Sequence, residues 1–192
     1  LTDLTFTDAY FECFAGLTAT GATVLTGLDS LPVSLNIWRT MMIWMGGMGI
    51  IVLAVAILPL LGVGGSQLFR AEMAGPMKDA KLTPRIEETA KGLWLVYFAL
   101  TAACAGAYKL AGMEGADSLM HAFTTVGLGG FSSHDASFAY FDSPAIEAVA
   151  VVFMLFSAVN FTVHFLAFRG RSLVAYGRDP EARRVALWAG AA

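Results

Sequence analysis

Two runs of small, hydroxyl-bearing and glycine residues interrupt an otherwise apolar chain: Thr18-Ala19-Thr20-Gly21, and Thr124 to Ser132, which reads TTVGLGGFS. Glycine reaches backbone angles that other residues avoid, so such a run can extend and turn its peptide carbonyls toward one axis. Carbonyl oxygens that converge in this way can replace the hydration shell of a monovalent cation. The chemistry on offer is coordination, with no bond made or broken. A third glycine cluster, GVGGSQLFR at 62–70, lacks the GK[ST] of a nucleotide P-loop and is read as a turn. Bond-breaking chemistry has little support, because the sequence has no HExxH, no GxSxG and no paired aspartates on an apolar helix.

The elements that must hold these runs follow from composition. Of 192 residues, 57% are hydrophobic and 14% charged, and the mean hydropathy is +0.65. Soluble domains carry about a quarter charged residues, so this is the composition of a membrane protein. A net charge of −3 argues against nucleic-acid binding. Cys13 and Cys104 form no CxxC and no metal-ligand spacing, and both are expected as small buried hydrophobes. The chain opens in mid-pattern at Leu1 and closes on GAA, as expected for part of a longer polypeptide.

Three segments are apolar enough to cross a bilayer, for which about 20 residues suffice. They lie within the charge-free stretch Thr40–Phe69, from Gly92 to Met113, and from Ala148 to Phe168. Lys109 stands near the end of the second span, where it can snorkel. That span is predicted to start with Thr83 as N-cap, Pro84 at the first helical position, and Glu87 and Glu88 in the first turn. Ten of the twelve Lys and Arg fall in segments 62–92 and 169–192, whereas the opposite side holds Arg39 and Lys109 against nine acids. The positive-inside bias therefore predicts cytoplasmic positions for the two basic segments and puts residues 1–39 and 110–147 outside.

The two outer segments, FTDAYFECFAGLTATGATVLTGLDSLP and ADSLMHAFTTVGLGGFSSHDASFAYFDSP, share one order. Each has an acid-capped start (Thr7-Asp8 or Asp117-Ser118), a short apolar stretch, threonines, glycine, Asp-Ser beside a proline, and then a span. Internal repeats of this kind are common in transport proteins. Asp8–Leu17 and Ser118–Thr125 are too short to span and too apolar for open water, which makes them re-entrant candidates. A short helix entering from outside turns its partially negative C-terminal end toward the membrane centre, where a cation is favoured. Thr125 to Gly129, TVGLG, also parallels the filter sequence TVGYG of potassium channels, which gives one register for the second run: Val126-Gly127-Leu128-Gly129.

Other polar residues carry two readings each. His121 and His164 lie in apolar segments; as metal ligands they would serve an intramembrane enzyme, but neither has a second ligand at helical spacing, so hydrogen bonding between helices is expected. Asp135, beside His134, either concentrates cations at a pore mouth or belongs to a solvated turn. Asn160 either bonds across helices or lines the pore. GGMG at 46–49 offers small residues for close helix approach, and Met41, Met42, Met45 and Met48 are read as packing rather than metal capture. Glu12, costly to bury, requires a hydrogen-bonding partner that the sequence does not name.

TATGAT, WMGGMGIIVLAVAILPLLGVGG, LFRAEMAGP, LTPRIEETA and GGFSSHD together resemble the membrane subunit of bacterial Trk-type potassium uptake systems, the TrkH family of the Trk/Ktr/HKT superfamily. The resemblance covers essentially the whole chain and is specific in combination. It implies an all-α polytopic membrane protein with four potassium-channel-like repeats of membrane helix, pore helix, filter strand and membrane helix around one pore. Residues 1–61 would be the pore helix, filter and second membrane helix of the first repeat, 62–83 a cytoplasmic loop, 84–168 the complete second repeat, and 169–192 a cytoplasmic tail leading to the third. The first filter strand implied is Thr18, Ala19, Thr20 and Gly21. For the second, the family's recurring GGFS favours Leu128, Gly129 and Gly130 over the channel-based register of Val126, Gly127, Leu128 and Gly129. The other two filter strands, the gating loop of the third repeat and the pore-facing arginine of the fourth are not in this sequence.

The function implied is transmembrane transport of potassium as a substrate, with no enzymatic activity, no covalent cofactor and no metal beyond potassium. The implied partners are the remaining two repeats of the same polypeptide, the lipid bilayer, a cytoplasmic nucleotide-binding regulatory subunit and a second copy in a homodimer, with no nucleic acid. The implied setting is the bacterial inner membrane, with the filter loops outside. The alternatives are an intramembrane metal-dependent enzyme and a structural assembly segment. A gated channel and an ion-coupled symporter are equally compatible with the residues.

Overall fold

A computed structural model describes residues 4–57, 79–170 and 174–189, and no strand occurs among the described residues. The helices are α1 (Phe6–Leu17), α2 (Val33–Ile57), α3 (Asp79–Leu110), α4 (Gly115–Gly127), α5 (Pro144–Ala158), α6 (Phe161–Gly170), α7 (Val174–Arg178) and α8 (Pro180–Ala189). Short 3-10 turns stand at Leu28–Ser30 and Ser137–Phe141. The sequence short helix, extended run, 3-10 turn, longer helix thus occurs twice, as the outer segments foreshadow.

The short helices are 12 and 13 residues long. At 1.5 Å per residue each spans about 20 Å, short of a hydrocarbon layer of about 30 Å. Their starts differ from the predicted caps. Thr5 caps α1 through a capping box in which Thr5 Oγ1 accepts from the Asp8 N–H at 3.2 Å and Asp8 Oδ2 accepts from the Thr5 N–H at 3.2 Å. Helix α4 starts after Glu114, which makes no side-chain cap. In both, the aspartate lies in the first turn, where a negative charge complements the helix dipole.

Only Ala90–Leu110 of α3 is, by itself and among the described residues, long and apolar enough to cross a membrane. Helix α3 begins at Asp79, ahead of the predicted cap at Thr83, so Pro84 sits one turn inside it and forfeits a main-chain hydrogen bond. Helix α2 starts at Val33, directly after Pro32, and so draws Asn36, Arg39 and Thr40 into its opening turns. The last part of the first predicted span, from 58 to 69, and most of the predicted loop at 62–83 lie outside the described residues.

The third predicted span is broken. Helices Pro144–Ala158 and Phe161–Ala167 meet at 91°. Asn160 stands at the break and caps α6, its Oδ1 accepting from the Thr162 N–H at 2.9 Å, a role that the sequence reading did not name. His164 bonds between helices, as expected: Nε2 donates to the Phe156 carbonyl (2.8 Å), and Nδ1 accepts from the Tyr176 hydroxyl (2.7 Å).

The core forms where α2 and α3 close around α4. Its aromatic side chains bury their rings and satisfy their polar tips. Trp44 Nε1 donates to Thr101 Oγ1 (2.9 Å), the Tyr97 hydroxyl to the Trp44 carbonyl (2.9 Å), and Tyr108 Oη and Thr125 Oγ1 are 2.7 Å apart. Met42 and Met48 pack inside, whereas Met45 faces outward. Cys104 is buried, but Cys13 is exposed, because it lies off the face of α1 that meets α2.

The GGMG run provides the close approach expected of it. A Cβ on Gly46 would lie 2.1 Å from the Leu17 carbonyl oxygen, and one on Gly47 would lie 3.2 Å from Gly127 Cα. Helix α2 therefore holds the C-terminal ends of both short helices against adjacent glycines.

Candidate functional site

Both glycine runs leave their short helix by the same route. Ala19 and Leu128 take left-handed backbone angles (φ 51° and 54°) although neither is glycine. The next residues donate back into the helix, Thr20 N–H to the Ala15 carbonyl (2.9 Å) and Gly129 N–H to the Thr124 carbonyl (3.1 Å). Gly21 and Gly130 follow, again left-handed, at φ 70° and 81°. Ala19 thus corresponds to Leu128, Thr20 to Gly129 and Gly21 to Gly130. Beyond them, Thr23 Oγ1 accepts from the Leu25 N–H and Ser132 Oγ from the His134 N–H, each at 3.1 Å.

The runs also touch. A Cβ on Gly21 would stand 1.7 Å from the Gly129 carbonyl oxygen, so no side chain fits between them. A Cβ on Gly129 would strike Ile43 Cγ2 at 2.3 Å, which shows how closely α2 backs the second run. Gly130 has open space around it. Of the predicted site residues, Thr18, Ala19, Thr20, Gly21, Leu128, Gly129 and Gly130 form these two adjoining runs. Val126 and Gly127 lie in the last turn of α4, with Val126 buried in the core.

A polar bracket stands behind the runs. The partner that Glu12 required is Arg39, whose Nε donates to Glu12 Oε2 at 3.3 Å, with both side chains buried. Glu12 Oε1 also accepts from the Thr23 hydroxyl and from the Val24 N–H (2.7 Å). In α4, His121 holds the place of Glu12: its Nε2 meets Ser132 Oγ at 3.0 Å, and its Nδ1, facing the Asp117 carbonyl at 3.0 Å, donates. Asn36 Nδ2 donates to the Leu28 carbonyl (3.0 Å) and the Ser133 carbonyl (3.4 Å), one from each outer segment. Arg39, Asn36 and Ser132 were not singled out from sequence. The available signal was Arg39 itself, a cation at the mouth of an apolar span, opposite an acid on an apolar helix.

The outer loops are tied together further on. His134 lies between two carboxylates, with Nδ1 2.5 Å from Asp29 Oδ1 and Nε2 3.2 Å from Asp117 Oδ2, and its ring stacks on Tyr140 at 3.5 Å. The hydrogen bond from His134 holds the Asp29 carboxyl below the ordinary carboxylate value. Asp135 lies exposed in a turn, as one of its two readings had it, and its Oδ2 also accepts from the Leu28 N–H (3.2 Å), which joins the two outer loops. Among the described residues, no cluster of three or more His, Cys, Asp or Glu could hold a metal ion.

A family model described as TrkH, cation transport protein, matches residues 2–174. The chain belongs to the TrkH family. It is 60% identical over 181 residues to the Trk system potassium uptake protein TrkH of Escherichia coli K12, covering 94% of this chain and 38% of that protein. It is 47% identical over 181 residues to the Trk system potassium uptake protein TrkG of the same strain, covering 94% of this chain and 37% of TrkG. The crystal structure of the potassium transporter TrkH from Vibrio parahaemolyticus superposes with a TM-score of 0.80 at 53% identity, over 94% of this chain and 36% of that one. The chain therefore spans little more than a third of the length of these relatives. Membership of the TrkH family makes it part of an all-α polytopic membrane protein.

Proposed function

We propose that the protein containing this chain moves potassium across the membrane through a filter of main-chain carbonyls, and that the chain supplies two of four strands, Thr18-Ala19-Thr20-Gly21 and Leu128-Gly129-Gly130. The observation that carries this reading is the matched geometry of the two runs and their contact at Gly21 and Gly129. A left-handed non-glycine residue costs about 1–2 kcal/mol, and such strain persists where surrounding structure over-determines it, commonly at functional sites. Each run follows the partially negative C-terminal end of a short helix, which favours a cation. Val126 and Gly127 then belong to the pore helix and not to the filter. The relatives named as potassium uptake proteins agree with potassium as the substrate.

In this reading α1 and α4 are pore helices, α2 and the broken α5–α6 pair are the helices that close the first and second repeats, and α3 opens the second. The division at 1–61, 62–83, 84–168 and 169–192 belongs to the same proposal. The excess of Lys and Arg in 62–92 and 169–192 supports a cytoplasmic position for these segments, with the filter loops outside a bacterial inner membrane. That basic face suits a nucleotide-binding regulatory subunit, and a homodimer is proposed on the family resemblance.

The test is rubidium uptake by potassium-uptake-deficient bacteria that carry the full-length parent, with its regulatory partner supplied. Substitution of Gly21 or Gly130 by a bulky residue should abolish uptake or its preference for potassium and rubidium over sodium, at unchanged membrane abundance. Wild-type uptake and preference in both variants would refute the filter assignment.

A further inference from the structure

We propose that Arg39 is a positioning residue that sets ion discrimination by locking the two filter strands to one another, with Glu12 as its buried counter-charge. The inference rests on the filter reading above. Arg39 lies in α2 and is 2% exposed. Its guanidinium reaches the exits of both strands: Nη2 donates to Thr23 Oγ1 at 3.1 Å, and Nη1 to the Ser132 carbonyl at 3.4 Å. Its Cζ stands 4.5 Å over the ring of Phe131, the residue after Gly130, and Nη1 also donates to Asn36 Oδ1 at 3.2 Å. Glu12 accepts from Nε and holds the chain beyond Gly21 through Thr23 and the Val24 and Leu25 N–H groups.

Attraction alone does not explain such a pair, because desolvation of two buried charges offsets much of what they gain. A planar guanidinium instead fixes several acceptors at once, in directions set by its fork. Filter discrimination depends on the number and placement of carbonyls, and these strands come from segments more than a hundred residues apart. Their mutual placement must therefore be set by tertiary contacts. Within α4 that duty at Ser132 falls to His121, which serves its own strand. Arg39 grips the exits of both, and Asn36, which its Nη1 meets, ties the two segments further on.

The experiment uses the full-length parent in potassium-uptake-deficient bacteria. Rubidium uptake and its suppression by sodium are measured per transporter in the membrane. Arg39→Lys keeps a positive charge beside Glu12 but cannot span the same acceptors. It should accumulate near the wild-type level yet lose about threefold or more of its preference for rubidium over sodium, while total uptake falls less. Thr23→Val removes the hydroxyl shared by Arg39 and Glu12, and it gives the same reading if Arg39→Lys does not accumulate. Wild-type preference in the variant that accumulates overturns the inference. Gly21→Ser runs beside them as the filter control. If it changes preference and the Arg39 and Thr23 variants do not, only the present inference falls; if it too leaves preference unchanged, the filter reading falls first.

Discussion

At the scale of the residue, the two terminal glycines of the runs are not equivalent. A side chain at Gly21 meets both a left-handed backbone and the Gly129 carbonyl at 1.7 Å, whereas Gly130 has the same backbone but free space. Gly130→Ala should cost about 1 kcal/mol of strain and leave measurable uptake. Gly21→Ala should separate the strands and abolish selective uptake. Equal loss in both, measured as rubidium uptake at matched membrane abundance, would contradict this ranking. Asp29 gives a pH test. Its folded-state carboxyl lies below the ordinary 3.8, chiefly through the hydrogen bond from His134. A lowered folded value means the stabilisation is complete above 3.8 and disappears as pH falls through the folded value. The thermal midpoint of the solubilised parent should therefore exceed that of Asp29→Asn by a small, salt-sensitive margin at neutral pH, and the margin should close in strong acid. A margin that grew on acidification would contradict the assignment. At this scale the sequence showed which residue types mattered at the runs themselves, because glycine spacing is local information. It left Glu12 without its partner, because Arg39 lies 27 positions away on another helix.

At the scale of the element, α2 is the spine that both short helices lean on. Its adjacent glycines sit against Leu17 and Gly127, so Gly46→Val should push α1 away from α2. Overpacking of this kind costs about 1–3 kcal/mol, to be read as a lower thermal midpoint of the solubilised parent. A midpoint at the wild-type value would show that the contact is not needed. Tyr108→Phe offers a contrast, since it removes a hydroxyl that meets Thr125 behind α4 and Cys104 within α3 but leaves the ring in place. A loss of about 1 kcal/mol with unchanged ion preference is expected, and altered preference would mean that α3 helps set the strands. Existence and type of the short helices were legible from their apolar stretches and acidic first turns. The break at Val159-Asn160 was not: the segment reads as one apolar span, and Asn160 acts as a cap only because the chain bends by 91° there. The start of α3 was displaced for a related reason, since Pro84 can lie a turn inside a helix as well as at its first position.

At the scale of the whole molecule, the proposed orientation is open to direct labelling. A single cysteine at Ser34 in a cysteine-free parent should react with a membrane-impermeant maleimide in intact cells, and one at Arg184 should react only after the membrane is opened. The reverse pattern would invert the topology read from the charge bias. Membrane class, helical character and the family were determined by the sequence itself, because composition, apolar run length and motif order are properties of contiguous residues. So was the doubling of the outer segment, which the backbone repeats as short helix, run, turn and longer helix. The tertiary structure decided what those signals cannot carry. It brought Gly21 against Gly129, matched Ala19 to Leu128 by conformation instead of residue type, and buried Glu12 beside Arg39. It also joined Asp29, Asp117 and His134 from three separate stretches of chain. Each of these depends on which surfaces meet when α2 packs between α1 and α4, and a buried polar group can satisfy its hydrogen bonds only after that packing has chosen its neighbours.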